Sequence, residues 1–142
     1  MRKTTKFFQS KEQEWVIFDA KDRILGRLAT RIAKVLIGKN KATYTPNAVS
    51  GDRVIVINAR HVKLSADKYN KKTYDKYTGY TNGRKEISLP QLMQKNPTKV
   101  LQSAVKGMLP KNSLGKEMLK GLKIYPDQEH NQQAQKPKMI GA

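Results

Sequence analysis

The stretch WVIFDAKDRILGRLATRIAKVLIGK (residues 15–39), together with VIVIN (residues 54–58), decides the fold. Its two apolar runs do not alternate with polar residues, which is typical of strands covered on both faces in a parallel sheet. Between them, apolar side chains recur at about 100° per residue along one side of a predicted helix, and Gly38 is placed to end it. This face comprises Leu25, Leu28, Ala29, Ile32, Val35 and Leu36. Strand, helix and strand form a βαβ unit, with a right-handed crossover expected.

The net charge is far from zero. The 142 residues include 29 lysines and arginines against 11 aspartates and glutamates, which gives a formal net charge of +18. The excess lies in residues 1–58 and 59–123, whereas residues 124–142 are neutral. The folded body, and not a tail, is therefore the cationic part, and a nucleic acid is the first partner to consider.

Several protein classes are disfavoured by composition. The chain has no cysteine, which excludes disulfides, thiolate zinc sites and cysteine nucleophiles. No apolar run approaches the roughly 20 residues that span a bilayer, and the basic residues 1–6 are not followed by the apolar stretch of a secretion signal. We expect a soluble, cytoplasmic protein without a membrane partner.

A basic stripe follows the first predicted helix on the side opposite its apolar face. Arg27, Arg31 and Lys34 are spaced at i, i+4 and i+7, and Lys39 and Lys41 follow just beyond the helix. Most such stripes are solvated surface, but solubility alone normally mixes charges of both signs. No acid interrupts this stripe, which favours contact with RNA or DNA.

Residues 68–85 interleave four tyrosines with six basic residues. The tyrosines are Tyr69, Tyr74, Tyr77 and Tyr80. Thr78-Gly79 and Asn82-Gly83 mark turns, so short strands or an irregular extended loop are expected. Cations beside flat rings bind phosphates and stack on bases. A hairpin with ordinary cross-strand tyrosines explains the pattern equally well, and the residues alone do not separate the two interpretations.

Two further helices are predicted after residue 95. Asn96-Pro97 is typical of a helix start, and Pro110 ends that helix. Its expected apolar face comprises Val100, Leu101, Ala104, Val105 and Met108, and its polar side carries Lys99 and Lys106. Ser113 is expected to cap the next helix. That helix is expected to bury Leu114, Met118, Leu119 and Leu122 and to carry a second basic stripe of Lys116, Lys120 and Lys123. Residues 132–142 are expected to form an extended tail.

No catalytic constellation is recognisable. The turn after the first strand has one glycine where a dinucleotide fingerprint needs three, and Asn58 stands where the ribose-binding acid is expected. No phosphate-binding loop is present, and His61 and His130 have no neighbours at metal-ligand spacing. We therefore predict no enzyme, no metal, no cofactor and no small-molecule substrate.

Four motifs in consistent order resemble the large-subunit ribosomal protein thirteen family, of bacterial or organellar type. They are VKGMLPKNSLG (residues 105–115), LGRLAT (25–30), GKNKATYTP (38–46) and GDRVIVINA (51–59). The similarity runs from about Trp15 to Gln135. The chain departs from the family near Thr78-Gly79, where it has Tyr77 and Tyr80 in place of a common histidine.

The resemblance implies a three-layer α/β/α fold with a small, mainly parallel central sheet, plus the basic extended segment and the C-terminal helices. We expect an N-terminal extension (1–14), a single α/β domain (15–125) and a polar tail (126–142). The implied function is that of a non-catalytic component of the large ribosomal subunit, in the cytoplasm or an organelle. It would bind large-subunit ribosomal RNA, adjoin neighbouring ribosomal proteins and help early assembly.

The candidate RNA-binding residues combine the basic stripes with aromatic neighbours. They are Arg27, Arg31, Lys34, Lys39, Lys41, Tyr44, Lys71, Lys72, Tyr74, Tyr77, Arg84, Lys85, Lys106, Lys111, Lys116 and Lys120. Gly79, Gly83 and Gly107 would let RNA approach closely, although a purely conformational role fits each equally well. Removing the side chains of Lys39 and Lys41 is expected to weaken RNA binding without changing stability. A DNA-binding architectural protein and a nucleotide-dependent enzyme remain the alternatives.

Overall fold

A computed structural model of the chain describes Phe8 and residues 13–140. Six strands and five α-helices form in this part of the chain. In order they are β1 (Trp15–Asp19), α1 (Leu25–Ile37), β2 (Arg53–Ile57), α2 (Ala66–Lys71), β3 (Thr73–Tyr77), β4 (Arg84–Ser88), α3 (Leu89–Lys95), α4 (Pro97–Met108), α5 (Ser113–Lys120), β5 (Leu122–Ile124) and β6 (Lys138–Met139). Two short 3₁₀ turns, Ala59–His61 and Gln133–Gln135, complete the described elements.

The central sheet has four strands in the order β5-β2-β1-β6, and every neighbouring pair is parallel. β1 and β2 pair along their whole length, from Trp15 beside Arg53 to Asp19 beside Ile57. This arrangement confirms the βαβ unit that the two apolar runs predicted. It places the carboxyl ends of β1 and β2 at the same edge of the sheet.

The larger hydrophobic core lies between one face of the sheet and the helices. Leu28, Ile32 and Leu36 of α1 are almost completely buried there, together with Val54 and Val56 of β2. α4 packs beside α1 and contributes to the same cluster. Helix α1 ends at Gly38, whose φ of 83° lies in the left-handed region, so the predicted terminator is confirmed.

The opposite face of the sheet carries a smaller core. Ile17, Ile55 and Ile57 are buried there, with the partly buried Trp15 and Tyr125 packed against them. Both faces of β1 and β2 are therefore covered, which explains why their apolar residues do not alternate. The predicted α/β class, a mainly parallel central sheet flanked by helices, is confirmed.

A separate antiparallel hairpin forms from β3 and β4, with Tyr77 beside Arg84 at its turn end. Short strands were one of the two forms expected for this basic segment. The sequence did not predict the two helices that flank the hairpin. Helix α2 is polar, and α3 has Pro90 within its first turn, so neither shows a long apolar period.

The C-terminal helices begin largely where the sequence predicted, with three corrections. Met108 is 41% exposed and does not belong to the buried face of α4. Asn112, not Ser113, caps α5, because its Oδ1 accepts a hydrogen bond from Gly115 N at 2.9 Å. Helix α5 ends at Lys120, so Leu122 and Lys123 lie on β5 and not on the helix.

The polar C-terminal residues are also more ordered than an extended tail. After a 3₁₀ turn, Lys138 and Met139 form β6 and pair with Val16 and Ile17 of β1. Residues 1–7 and 9–12, most of the predicted N-terminal extension, lie outside the described residues, and the predicted domain boundaries stay predictions. Within the described part of the chain, no helix has the length and apolar character needed to cross a membrane.

Candidate nucleic-acid interface

The basic stripe on α1 is exposed, as the sequence predicted. Arg27, Arg31 and Lys34 make no ion pair with any residue that the structure describes. Thr30 lies within this exposed face, and its Oγ1 is 3.6 Å from Met108 Sδ at the end of α4. The α1 stripe therefore adjoins the α4–α5 region, and the two sets of cations belong to neighbouring surfaces.

The loop after α1 separates two lysines that look alike in the sequence. Lys39 is exposed, whereas Lys41 is partly buried and its Nζ lies 2.5 Å from Asp52 Oδ1. Asp52 is buried and also accepts a hydrogen bond from Glu14 N at 3.0 Å. Lys41 thus has a structural partner, and Tyr44 nearby in the chain is half-buried.

The tyrosines of the hairpin divide into two kinds. Tyr74 is half-buried against the main core, and burial raises the pKa of its hydroxyl. Lys72 Nζ lies 5.2 Å from the centre of the Tyr74 ring, as in a cation–π contact. In contrast, Tyr77 is 68% exposed and Tyr80 is 78% exposed. Among the tyrosines of the hairpin, Tyr77 and Tyr80 are therefore the ones exposed enough to stack on bases.

Arg84 also has intramolecular partners. Its guanidinium lies 2.8 Å from Asp75 and 2.7 Å from Glu86, two carboxylates that face each other across the hairpin. The hydrogen bond with Asp75, with the charges of Asp75 and Glu86, raises the pKa of Arg84. Arg84 therefore bridges two acids within the hairpin, whereas Lys71 and Lys85 are exposed and form no ion pair with a described residue.

Three of the predicted lysines surround one cavity between α4 and α5. Lys106, Lys111 and Lys116 line this cavity of about 420 Å³, whose apolar surface includes Leu109 and Leu119. Gly115 of α5 also lines it, and a Cβ there would lie 1.8 Å from the Pro110 carbonyl oxygen, so this close contact requires glycine. Lys120 is exposed on α5 but does not line the cavity.

A second cavity, of about 410 Å³, lies between α1 and β6 and was not predicted. Arg23, Arg27 and Arg31 line it together with Met139 and Ile140. Sequence reasoning found two of these arginines but missed Arg23, which precedes the helix. It also missed Met139 and Ile140, because a strand of two residues in a polar tail gives no periodic signal.

The three glycines singled out in the sequence differ in their surroundings. Gly79 has a φ of 91°, which favours glycine in the turn. A Cβ on Gly83 would lie 2.1 Å from Thr78 Oγ1, so packing within the hairpin requires glycine there. A Cβ on Gly107 would meet no atom within 4 Å. The described fold therefore explains Gly79 and Gly83 but gives no internal reason for Gly107.

α/β enzymes bind nucleotides at the carboxyl ends of their parallel strands. At the ends of β1 and β2 in this chain, polar side chains instead bond to one another. Asn58 donates a hydrogen bond from Nδ2 to Asp19 Oδ1 at 2.9 Å, so the residue in the ribose-binding position ties the two strand ends together. Asp22, in the following loop, pairs with Lys63 at 2.8 Å. Among Phe8 and residues 13–140, no cluster of three or more His, Cys, Asp or Glu side chains is placed to hold a metal ion.

Comparison with known proteins agrees with the resemblance seen in the sequence motifs. The family described as Ribosomal protein L13 matches residues 13–131. The chain is 54% identical to the large ribosomal subunit protein uL13 of Petrotoga mobilis over 129 residues, which cover 91% of this chain and 85% of that protein. It is 52% identical to the protein of the same name from Caldanaerobacter subterraneus subsp. tengcongensis, with coverage of 91% and 90%. The identity to that of Wigglesworthia glossinidia brevipalpis is 50%, with coverage of 90% of each chain. This chain belongs to the ribosomal protein L13 family.

Proposed function

We propose that the chain is a non-catalytic structural component of the large ribosomal subunit, which binds large-subunit ribosomal RNA and helps early subunit assembly. The observation that carries this proposal is the distribution of exposed cations in a member of this family. They lie on α1, on the β3–β4 hairpin and around the α4–α5 cavity, and most have no acidic partner among the described residues. Such surfaces bind polyanions because each neutralised phosphate releases condensed counterions.

The proposed mechanism is a clamp and involves no chemical step. α1 and α4 pack side by side in one core, so the cations on α1 and around the α4–α5 cavity have a fixed spacing. RNA segments that contact both surfaces would be held at a fixed angle while their mutual repulsion is neutralised. Rigid placement of this kind supports assembly because it orders RNA before other contacts form.

The predicted contacts fall into two groups according to their surroundings. The first group is exposed and available for phosphates or bases: Arg27, Arg31, Lys34, Lys39, Lys71, Tyr77, Lys85, Lys106, Lys111, Lys116 and Lys120. The second group is partly buried or paired within the chain: Lys41, Tyr44, Lys72, Tyr74 and Arg84. We propose the first group as the main RNA contacts and the second as residues that shape the surface.

We also propose which molecules adjoin the protein and where in the cell it lies. Neighbouring ribosomal proteins would adjoin the surfaces that RNA leaves open, and the subunit would lie in the cytoplasm. No membrane and no small-molecule substrate are part of this function. The names of the relatives support the large subunit as the site of action.

Salt dependence tests the electrostatic basis of binding. If about six to ten phosphates are neutralised, affinity for large-subunit ribosomal RNA should fall by about 10³–10⁵ between 50 and 200 mM salt. Replacing Lys106, Lys111 and Lys116 with Gln should lower the salt slope by about two to three. A matched triple variant at the exposed Lys21, Lys95 and Lys136 removes the same charge and should change the slope much less. A flat salt response would contradict the mechanism.

Crosslinking in cells tests the identity of the RNA. Ultraviolet crosslinking of the tagged chain, followed by sequencing of the attached RNA, should give a few sites confined to large-subunit ribosomal RNA. Depleting the chain should leave incomplete large subunits at an early stage of assembly. Crosslinks scattered over messenger RNA, or a preference for duplex DNA, would instead favour a general or DNA-binding protein.

A further inference from the structure

We propose that the cavity between α1 and β6 binds a single unpaired nucleotide of the RNA. Its phosphate would contact the arginines of the lining, and its base would lie against the exposed aliphatic side chains of the same lining. This inference rests on the proposed function and adds to it a defined pocket for one base, at a place where the basic stripes alone predict only phosphate contacts.

Three arginines in the lining are suited to a phosphate group. Arg23, Arg27 and Arg31 follow one another at intervals of four residues and all line the cavity. None of the three forms an ion pair with a residue in the described part of the chain. A guanidinium group binds phosphate with two parallel hydrogen bonds, and its flat face stacks on bases.

The cavity lining holds two carboxylates against three arginines. Asp19 accepts hydrogen bonds from Lys21 N and Asn58 Nδ2, both at 2.9 Å. Asp22 is paired with Lys63 at 2.8 Å. The donors to Asp19 are neutral, so its negative charge remains, whereas the charge of Asp22 is balanced by Lys63. The three guanidinium groups outnumber the one unbalanced carboxylate, so the cavity attracts an anion.

Another part of the cavity lining is aliphatic and exposed. Ile24 is 45% exposed, Met139 is 70% exposed and Ile140 is 41% exposed. Phe18 and Leu28 are buried and complete the apolar lining. A bare phosphate makes no use of such a wall, whereas the flat face of a base removes it from water.

The size of the cavity and the charge around it favour a nucleotide. About 410 Å³ lies within the range of about 300–1,000 Å³ that is usual for small-ligand sites, and an RNA double helix is too large to enter. A base must therefore be unpaired to reach the apolar wall. The basic surface continues from the cavity along α1 to Lys34 and on to Lys39, so it matches a chain with a phosphate at every residue. An acidic peptide is less well matched to that continuous stripe.

Site-directed photocrosslinking tests the position of the base. The chain has no cysteine, so Met139→Cys introduces a unique thiol at the mouth of the cavity. Labelled with a benzophenone maleimide and bound to large-subunit ribosomal RNA, it should crosslink to one or two adjacent nucleotides that map to an unpaired position. Gln94→Cys, on the exposed side of α3, is the matched control and should not crosslink at that position.

Two substitutions separate base contact from phosphate contact. Ile24→Ser should weaken RNA binding by about tenfold without changing the salt slope, because it removes apolar contact only. Serine is also a favoured residue at this position, the N-cap of α1, so the fold should be retained. Arg27→Gln should weaken binding and reduce the salt slope by about one.

The outcomes distinguish this inference from the proposed function. If the wild-type chain binds large-subunit ribosomal RNA but Met139→Cys does not crosslink to it and Ile24→Ser binds normally, the nucleotide pocket is wrong and the general function stands. Crosslinking of Met139→Cys within intact subunits to a neighbouring protein alone would also overturn the pocket. If the wild-type chain shows no preference for this RNA, the proposed function itself fails.

Discussion

Lys41 Nζ lies 2.5 Å from Asp52 Oδ1, and Asp52 is only 7% exposed. The same carboxylate accepts a hydrogen bond from the backbone N–H of Glu14, so this contact joins the loop after α1 to the residue that precedes β1. The sequence placed Lys41 in one group with Lys39 because both follow the basic helix. The structure gives them different roles, since one lysine is paired with a buried acid and the other is exposed.

Lys41→Ala should destabilise the fold, contrary to the expectation from the sequence. It removes the cation beside a buried carboxylate, which should lower the free energy of unfolding by about 1–3 kcal/mol. Lys39→Ala should leave that free energy nearly unchanged and weaken RNA binding only. Urea unfolding and RNA titration of both variants check this pair, and equal stability of the two would show that Asp52 does not depend on Lys41.

The tyrosines of the hairpin should also separate by phenotype. Tyr77→Ala should weaken RNA binding by about 1–3 kcal/mol if one base stacks on that ring, with no change in stability. Tyr74→Ala should lower stability by about 2 kcal/mol, because its partly buried side chain packs against the core. Thermal unfolding and binding measurements test both. If Tyr74→Ala folded but lost RNA binding while Tyr77→Ala bound normally, the base would stack on Tyr74 and this prediction would be wrong.

Gly107→Ala should have opposite effects on stability and binding. Alanine stabilises a helix relative to glycine, and its Cβ meets no atom of the chain, so the free energy of unfolding should rise by about 0.5 kcal/mol. If RNA approaches this part of α4 closely, the added methyl group should weaken binding. Gln102→Ala, at another exposed position of α4, is the control. Unchanged RNA affinity for Gly107→Ala would show that RNA does not approach α4 closely at this position.

Acid should remove the contribution of Asp22 to stability. The hydrogen bond and charge of Lys63 hold the pKa of Asp22 below its ordinary value of 3.8. A carboxylate with a lowered pKa in the folded state stabilises the fold above its unfolded pKa, and this stabilisation is lost as the pH falls through the folded value. Asp22→Asn should therefore unfold at a lower temperature than wild type at pH 6. Asparagine suits the positive φ of 59° at this position.

The difference between Asp22→Asn and wild type should narrow as the pH falls from 6 to 3, because below the unfolded pKa of Asp22 the contribution of its charge to stability begins to be lost. Melting curves at the two pH values measure this directly. A difference that stays constant from pH 6 to pH 3 would mean that the charge of Asp22 makes no contribution.

The βαβ unit was predictable because its signals are strong and local. Two uninterrupted apolar runs and a regular helical period between them, ended by Gly38, are each sufficient to identify an element. α2 and β6 were missed for the opposite reason. Their residues are polar or too few to show a period, and both form because the rest of the fold provides a place to pack or pair.

The candidate site was predictable in composition but not in detail. The sequence identified the basic stripes, and α1 and the α4–α5 region expose them as expected. It did not separate Lys41 from Lys39, or Tyr74 from Tyr77, because burial and ion pairing depend on residues far away in the chain. For the same reason, the sequence did not predict the α1–β6 cavity, whose lining brings Arg23 together with Met139 and Ile140 from the far end of the described chain.

The pairing of Val16 with Lys138 also has a consequence for synthesis. The ribosome makes β1 early, but the neighbour on one side of it is added only after nearly all the described chain has been made. β1, β2 and the helices can pack before then, because their residues all precede the 3₁₀ turn at Gln133–Gln135. This edge of the sheet, and with it the α1–β6 cavity, can therefore form only after β1, β2 and all the described helices have been synthesised.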